Sequence, residues 1–150
     1  MEMILWRHAD AEPGVRDEER KLTAKGRKQA KRVAAWLRKR LPHDVVVLAS
    51  PARRAAQTAE ALTDRFETVA HLGTRASARD LLEAAGWPER GGIVIVVGHQ
   101  PTLGRAAAFA LTGAYADWSF RKGSIWWLAS QDEDEGRKSV LRAVIAPDLL

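Results

Sequence analysis

Three short apolar runs in this chain stop abruptly at polar residues, and that pattern narrows the fold more than any other. Met3-Ile4-Leu5-Trp6 stops at Arg7-His8, Val45–Ala49 at Ser50-Pro51, and Ile93–Val97 at Gly98-His99. Runs of this length without polar alternation predict strands covered on both faces, as in a parallel sheet. Such a sheet needs helices above and below, and the intervening stretches supply them. Thr23 predicts the cap of a helix running to about Leu41: Leu22, Ala30, Val33, Ala34, Leu37 and Leu41 recur at helical spacing, and Pro42 follows. Gly26 either costs that helix about 1 kcal/mol against Ala or allows close packing. Arg53–Leu62 reads as an Ala-rich helix, Ser77 as the cap of a short helix Ala78–Ala85, and Pro101 as the opening of a helix through Leu111 that Gly113 ends. Ala9–Lys21, charged and carrying Pro13 and Gly14, reads as a loop, and Glu67–Val69 as a weak strand. Gly123–Ala129 and Ser139–Ile145 predict an antiparallel hairpin joined by the acidic turn Gln131–Gly136. The expected fold class is α/β: a three-layer α/β/α sandwich with a mainly parallel central sheet and a C-terminal antiparallel hairpin.

At 150 residues the chain is expected to form one domain, 1–150, with a core of its own. No apolar run approaches the roughly 18 residues of a membrane helix, and no basic-then-apolar leader stands at the N-terminus. The absence of cysteine excludes disulfides and thiolate metal sites. These readings point to a cytoplasmic protein. A formal net charge of +5 favours acidic partners without choosing among phosphorylated molecules, acidic protein surfaces and nucleic acid.

Open α/β sheets bind ligands at the carboxyl ends of their strands, where His8 and His99 both fall. A single histidine there is more often structural. Two of them, one preceded by Arg7, point to chemistry. Imidazole has an unperturbed pKa of roughly 6.5, so it offers a free lone pair at neutral pH. Guanidinium groups present planar, permanently charged forks to phosphoryl oxygens. Arg53 and Arg54 both follow the second run, about 100° apart on a helix, so only one faces the strand ends. His43 and His71 have no comparable company and read as ordinary surface residues.

Four blocks of sequence carry a family likeness: Leu5-Trp6-Arg7-His8-Ala9-Asp10-Ala11; Leu22-Thr23 with Gly26, Gln29 and Ala30; Ser50-Pro51 with Arg54-Ala55 and Gln57-Thr58-Ala59; and Val97-Gly98-His99-Gln100-Pro101. In this order they resemble the histidine phosphatase superfamily, and the lack of large insertions resembles its phosphohistidine phosphatase (SixA-like) branch. The resemblance implies a phosphoglycerate-mutase-like fold and a phosphatase that needs no metal or cofactor. It implies His8 as the nucleophile, and Arg7, Arg54 and His99 as the phosphate pocket. Its motif selects Arg54 over Arg53, and it leaves Arg20 either at the pocket mouth or on the plain surface.

Two departures stand out. Ala9 occupies a position that is usually Gly in the family; if that position needs positive φ, Ala costs about 1 kcal/mol or shifts the loop. Larger members also carry an acid between the arginine helix and the second histidine, whereas Leu72–Ser77 has none. Asp10, Asp80 and Glu83 are the possible substitutes, the last two also reading as helix-surface acids. A site with clamps and nucleophile but no evident acid suits phosphohistidine, whose leaving imidazole needs less help than an alkoxide. The expected substrate is therefore a phosphorylated molecule, with phosphohistidine on an acidic protein foremost. A small-molecule phosphomonoesterase and a noncatalytic phosphate- or nucleic-acid-binding protein are the alternatives. A mutase is a weaker fit, since the large substrate-enclosing insertions are absent.

From Arg20 to Leu41 there are ten Lys or Arg and no Asp or Glu. That stretch is either a solvated helix face or a docking surface for an acidic partner. Only Trp36 interrupts it with an aromatic ring, which argues against nucleic acid. Trp126 and Trp127 point to opposite faces of their strand.

Overall fold

A computed structural model describes residues 1–150 and contains the expected alternation of strand and helix. Strands β1 (Glu2–Arg7), β2 (Val46–Ala49), β3 (Glu67–Thr68) and β4 (Ile93–Gly98) are parallel, and β5 (Ile125–Glu133) and β6 (Gly136–Ile145) form the antiparallel hairpin. Together they make one six-stranded sheet in the order β3-β2-β4-β1-β5-β6, with β5 antiparallel to β1. Helices α1 (Ala24–Arg38), α2 (Arg53–Glu60), α3 (Ala78–Ala85) and α4 (Thr102–Thr112) cover it.

The uninterrupted apolar runs follow from burial on both faces. Ile4, Trp6, Val47, Ala49, Ile95 and Val97 pack with α1 and α2. Met3, Leu5, Leu48, Val94 and Val96 point the other way, onto α3 and α4. Helix α1 turns Ala30, Val33, Ala34 and Leu37 inward, as their spacing requires, and the Thr23 hydroxyl accepts from Gly26 N–H at its start. Helix α3 begins with a capping box in which Ser77 and Asp80 exchange side-chain to backbone hydrogen bonds. Gly113, in the left-handed region, ends α4. Trp127 is buried on the α1 face against Trp36, while Trp126 stacks on Phe120 on the opposite face.

Several boundaries differ from expectation. Helix α1 stops at Arg38 rather than near Leu41, because the chain tightens into a turn before Pro42, with Arg40 and Leu41 N–H both on Leu37 O. Helix α2 ends at Glu60 rather than Leu62, and β3 at Thr68 rather than Val69. Helix α4 starts at Thr102, with Pro101 just outside as its cap, and runs through Thr112. The hairpin is longer than expected: Gln131, Asp132 and Glu133 continue β5 and pair with Lys138, Arg137 and Gly136. Cross-strand ion pairs such as Arg137–Asp132 let charged residues extend the ladder past the apolar register. Within Ala9–Lys21, Asp17–Glu19 form a 3₁₀ turn.

Gly26 is where α1 presses on the loop after β1. A Cβ there would lie 1.9 Å from Asp10 O. The close approach, not helix propensity, explains the glycine. Gly26→Ala should therefore lower stability by about 1–3 kcal/mol, against the gain of about 1 kcal/mol that propensity alone gives. Urea denaturation of the two proteins checks this.

Candidate active site

The parallel strands end at one level: Arg7 lies opposite Gly98, and Ala49 opposite Val97. Backbone hydrogen bonds bind the departing chains together. His8 N–H donates to Gly98 O at 3.1 Å, Ser50 N–H to Val97 O at 3.0 Å, and Gly123 N–H to the carbonyls of Arg7 and His8, both at 3.1 Å. The register thus brings His8 and His99 side by side, with ring centroids 5.2 Å apart and planes tilted at 55°.

Both rings are buried, and their hydrogen bonds select a form. His8 Nδ1 lies 2.8 Å from Ala9 O, where only an N–H fits. The proton is therefore assigned to Nδ1, which leaves a lone pair on Nε2. Arg54 Nε donates to that lone pair at 3.3 Å. Burial pushes His8 down to about 4; the Ala9 carbonyl acts in the opposite sense, and the charges of Arg54, Arg7 and Arg20 add to the depression. His99 is pushed down to about 3, first by burial and then by His8 and Arg54. Its Nε2 lies 2.7 Å from Ser50 Oγ, which already accepts Ala52 N–H.

Arg54 sits in the first turn of α2 and is 4% exposed, whereas Arg53 faces solvent. One turn on, Thr58 Oγ1 donates to Arg54 O at 2.7 Å and accepts Ala9 N–H at 3.0 Å, tying α2 to the loop after β1. Arg7 donates from Nη1 to Phe120 O at 2.7 Å. The buried polar side-chain atoms without a partner are Arg7 Nε, His99 Nδ1 and Ser124 Oγ. Two of the three belong to this cluster. Unsatisfied buried polar atoms are uncommon, and each asks for a reason.

Ala9 resolves one of the departures seen in the sequence. It is fully buried, and no residue other than glycine has a positive φ. The position needs only a small side chain, so alanine does not strain the loop.

The sequence reading missed Asp17. Arg54 donates from Nη1 to Asp17 O at 2.6 Å and from Nη2 to Asp17 Oδ2 at 3.1 Å. Arg20 donates from Nη1 to Asp17 Oδ1 at 2.8 Å and from Nε to Glu12 O at 2.7 Å. Hydrogen bonds from Arg20, then Arg54, hold the Asp17 carboxyl below the usual range. The only signal in the sequence is its place three residues before Arg20, inside a loop where charged residues are ordinary. Each Arg54 Nη carries a second N–H beyond the one Asp17 takes.

Asp10 turns toward α1. Its Oδ2 accepts from Thr23 Oγ1 at 2.8 Å, and its Oδ1 pairs with Lys122 at 3.0 Å. Asp80 is engaged by Ser77, but also lines a cavity of about 590 Å³ with Asp17, His71 and Arg75. His71, read as plain surface, is exposed and shares that cavity with Asp17. Glu83 pairs with Arg79 on the exposed side of α3. No three His, Asp or Glu side chains converge as a set of metal ligands.

Comparison with known proteins matches residues 3–83 to the family model of the histidine phosphatase superfamily (branch 1). An uncharacterized protein of Picosynechococcus sp. is 36% identical over 131 residues, covering 75% of this chain and 76% of that protein. A solved structure of the protein histidine phosphatase SixA complexed with tungstate aligns with a TM-score of 0.79 at 23% identity, covering 99% of both chains. A proposed phosphohistidine phosphatase SixA from Nakamurella multipartitia aligns with a TM-score of 0.78 at 28% identity, covering 97% of this chain and 95% of that one. The chain belongs to the histidine phosphatase superfamily, and its fold is the α/β phosphoglycerate-mutase-like fold. No helix is long and apolar enough to cross a membrane.

The depressed imidazoles make stability depend on pH. Their folded values of about 4 and about 3 lie below the usual 6.5, so unfolding takes up protons between those limits. Their contribution is full above pH ~6.5 and is lost as pH falls toward the folded values. Near pH 5 the pair should account for about two protons taken up on unfolding, a slope of roughly 2.7 kcal/mol per pH unit. Denaturant melts from pH 7 to 4.5 measure that slope, and His8→Gln should remove about half of the pair's share.

Proposed function

We propose that this protein is a phosphatase working as a single 1–150 domain through a phosphohistidine on His8, and that its substrate is phosphohistidine on a protein. The observation that carries the reading is the neutral His8 ring, its Nε2 lone pair directed at Arg54 beside two buried polar atoms that lack partners. Arg7, Arg54 and His99 are the donors we assign to the phosphoryl oxygens. We assign Arg20 to the pocket mouth, where it is tied to Arg54 through their shared partner Asp17. A cytoplasmic location belongs to the same proposal.

In the first step the His8 Nε2 lone pair attacks phosphorus, and the bond from phosphorus to the leaving nitrogen breaks with its electrons. The leaving imidazole gains a proton from solvent. Water then attacks the phosphorylated His8, the P–Nε2 bond breaks, and phosphate departs as neutral His8 is restored. Preorganised donors aimed at the developing charge supply much of the stabilisation.

The carboxyls near the cluster bear on the substrate. Asp17 is held low by Arg20 and Arg54, Asp10 first by Lys122, and Asp80 by Ser77. All three are ionised at neutral pH and none is a ready acid. Such a site favours a leaving group that departs without strong protonation, which phosphohistidine supplies better than an alkyl ester. A small-molecule phosphomonoesterase is a second reading, favoured by the polar cavity beside Asp17.

His8→Ala should lower turnover by about 10³-fold or more and abolish acid-labile ³²P labelling of the protein. Unchanged turnover would reject the nucleophile assignment. Wild-type kcat/KM should be higher for a phosphohistidine peptide than for simple alkyl phosphates. The reverse order in a steady-state assay would select the small-molecule reading.

A further inference from the structure

We infer that the outer face of α1, continued by Arg121 and Lys122, is a docking surface for an acidic protein that presents its phosphoryl group to His8. This rests on the phosphatase reading above and adds how the partner is held.

Every Lys and Arg from 25 to 40 is exposed, and none forms a salt bridge. Elsewhere, exposed Arg79, Arg105 and Arg137 have carboxylate partners, and exposed cations without one, such as Arg65, Arg75 and Arg90, are scattered rather than gathered on one helix. What sets α1 apart is the density of unpaired cations along one helix, a field available to something outside the chain. Lys25, Lys28 and Arg32 share one stripe and line a hollow of about 360 Å³ with Gln29, Pro147 and Asp148. The one carboxylate there, Asp148, pairs with Arg121 at 3.6 Å.

The stripe is anchored to the cluster by short links. Gln29 Oε1 accepts Asp10 N–H at 2.9 Å, and Lys122 pairs with Asp10 at 3.0 Å. The next residue, Gly123, donates to His8 O at 3.1 Å. A partner lying on α1 thus borders the backbone that carries the nucleophile.

The surface fits protein better than nucleic acid. Its one aromatic ring, Trp36, packs edge-on against Trp127 at 6.1 Å, and the Arg40 guanidinium covers it at 4.0 Å. No ring is left open for a base to stack on. A row of cations instead complements a row of carboxylates, which speeds encounter and orients the partner in a salt-dependent way.

The test uses two phosphohistidine peptides, one with Asp and Glu around the histidine and one with Ser and Gly. The acidic peptide should show a kcat/KM about tenfold higher at low ionic strength, and the difference should vanish near 0.5 M salt. Lys25→Glu, Lys28→Glu and Arg32→Glu together should remove the preference and leave hydrolysis of free phosphohistidine unchanged. A preference that survives both salt and the triple variant would overturn the docking surface. Binding of the unphosphorylated, fluorescein-labelled acidic peptide, read by anisotropy, separates this proposal from the substrate assignment. If no phosphohistidine peptide is hydrolysed, yet the wild type binds this peptide and the triple variant does not, only the substrate assignment fails. If the wild type does not bind it, or a single-stranded oligonucleotide of equal charge displaces it more strongly, the acidic-protein surface fails.

Discussion

Two uncharged imidazoles held against permanently charged guanidinium groups are the interaction on which this site depends. Positive charge and burial act in the same direction on His8 and His99, so both rings remain neutral where an isolated histidine would be partly protonated. Neutrality leaves His8 a lone pair, and the adjacent cations leave the space beside it strongly favourable to an anion. Asp17 gives both Arg54 and Arg20 a carboxylate partner. A buried guanidinium without such a partner would be a heavy burden on the fold.

The sheet makes this arrangement possible. Parallel pairing of β1 with β4, and of β4 with β2, aligns their carboxyl ends, and each chain turns away within a residue of its strand. The first residues past the strands are therefore His8, Ser50 and His99, already knit by backbone hydrogen bonds. Apolar side chains on both sides of the sheet fix that register, since a slip of one residue would carry every strand side chain to the wrong face. Core packing and site geometry are thus the same constraint seen from two ends of one strand.

This is why so much was legible in the sequence. The apolar runs reveal the strands, and the residue after each run reveals what stands at the strand end. Arg7, His8 and His99 need no more than that to be brought together, whereas choosing Arg54 over Arg53 took the family motif. What escaped prediction depends on contacts between segments far apart in the chain. Asp17 is unremarkable until Arg54, from another element, reaches it. Asp10 reads as a possible acid until Thr23 and Lys122 are seen to occupy its oxygens. Gly26 looks like a weak point in a helix until Asp10 O is placed against it. The acidic end of the hairpin looks like a turn because ion pairing across strands leaves no apolar period to read.

Asp17 lies on an exposed 3₁₀ turn, yet its carboxylate and its carbonyl both end on the buried Arg54. The guanidinium at the heart of the cluster is thus also the peg to which the overhanging segment is fastened. Whatever draws that peg inward tugs on the rim, and whatever unseats the rim loosens the peg. The position of Arg54 and the order of the Asp17–Glu19 turn are consequently a single variable.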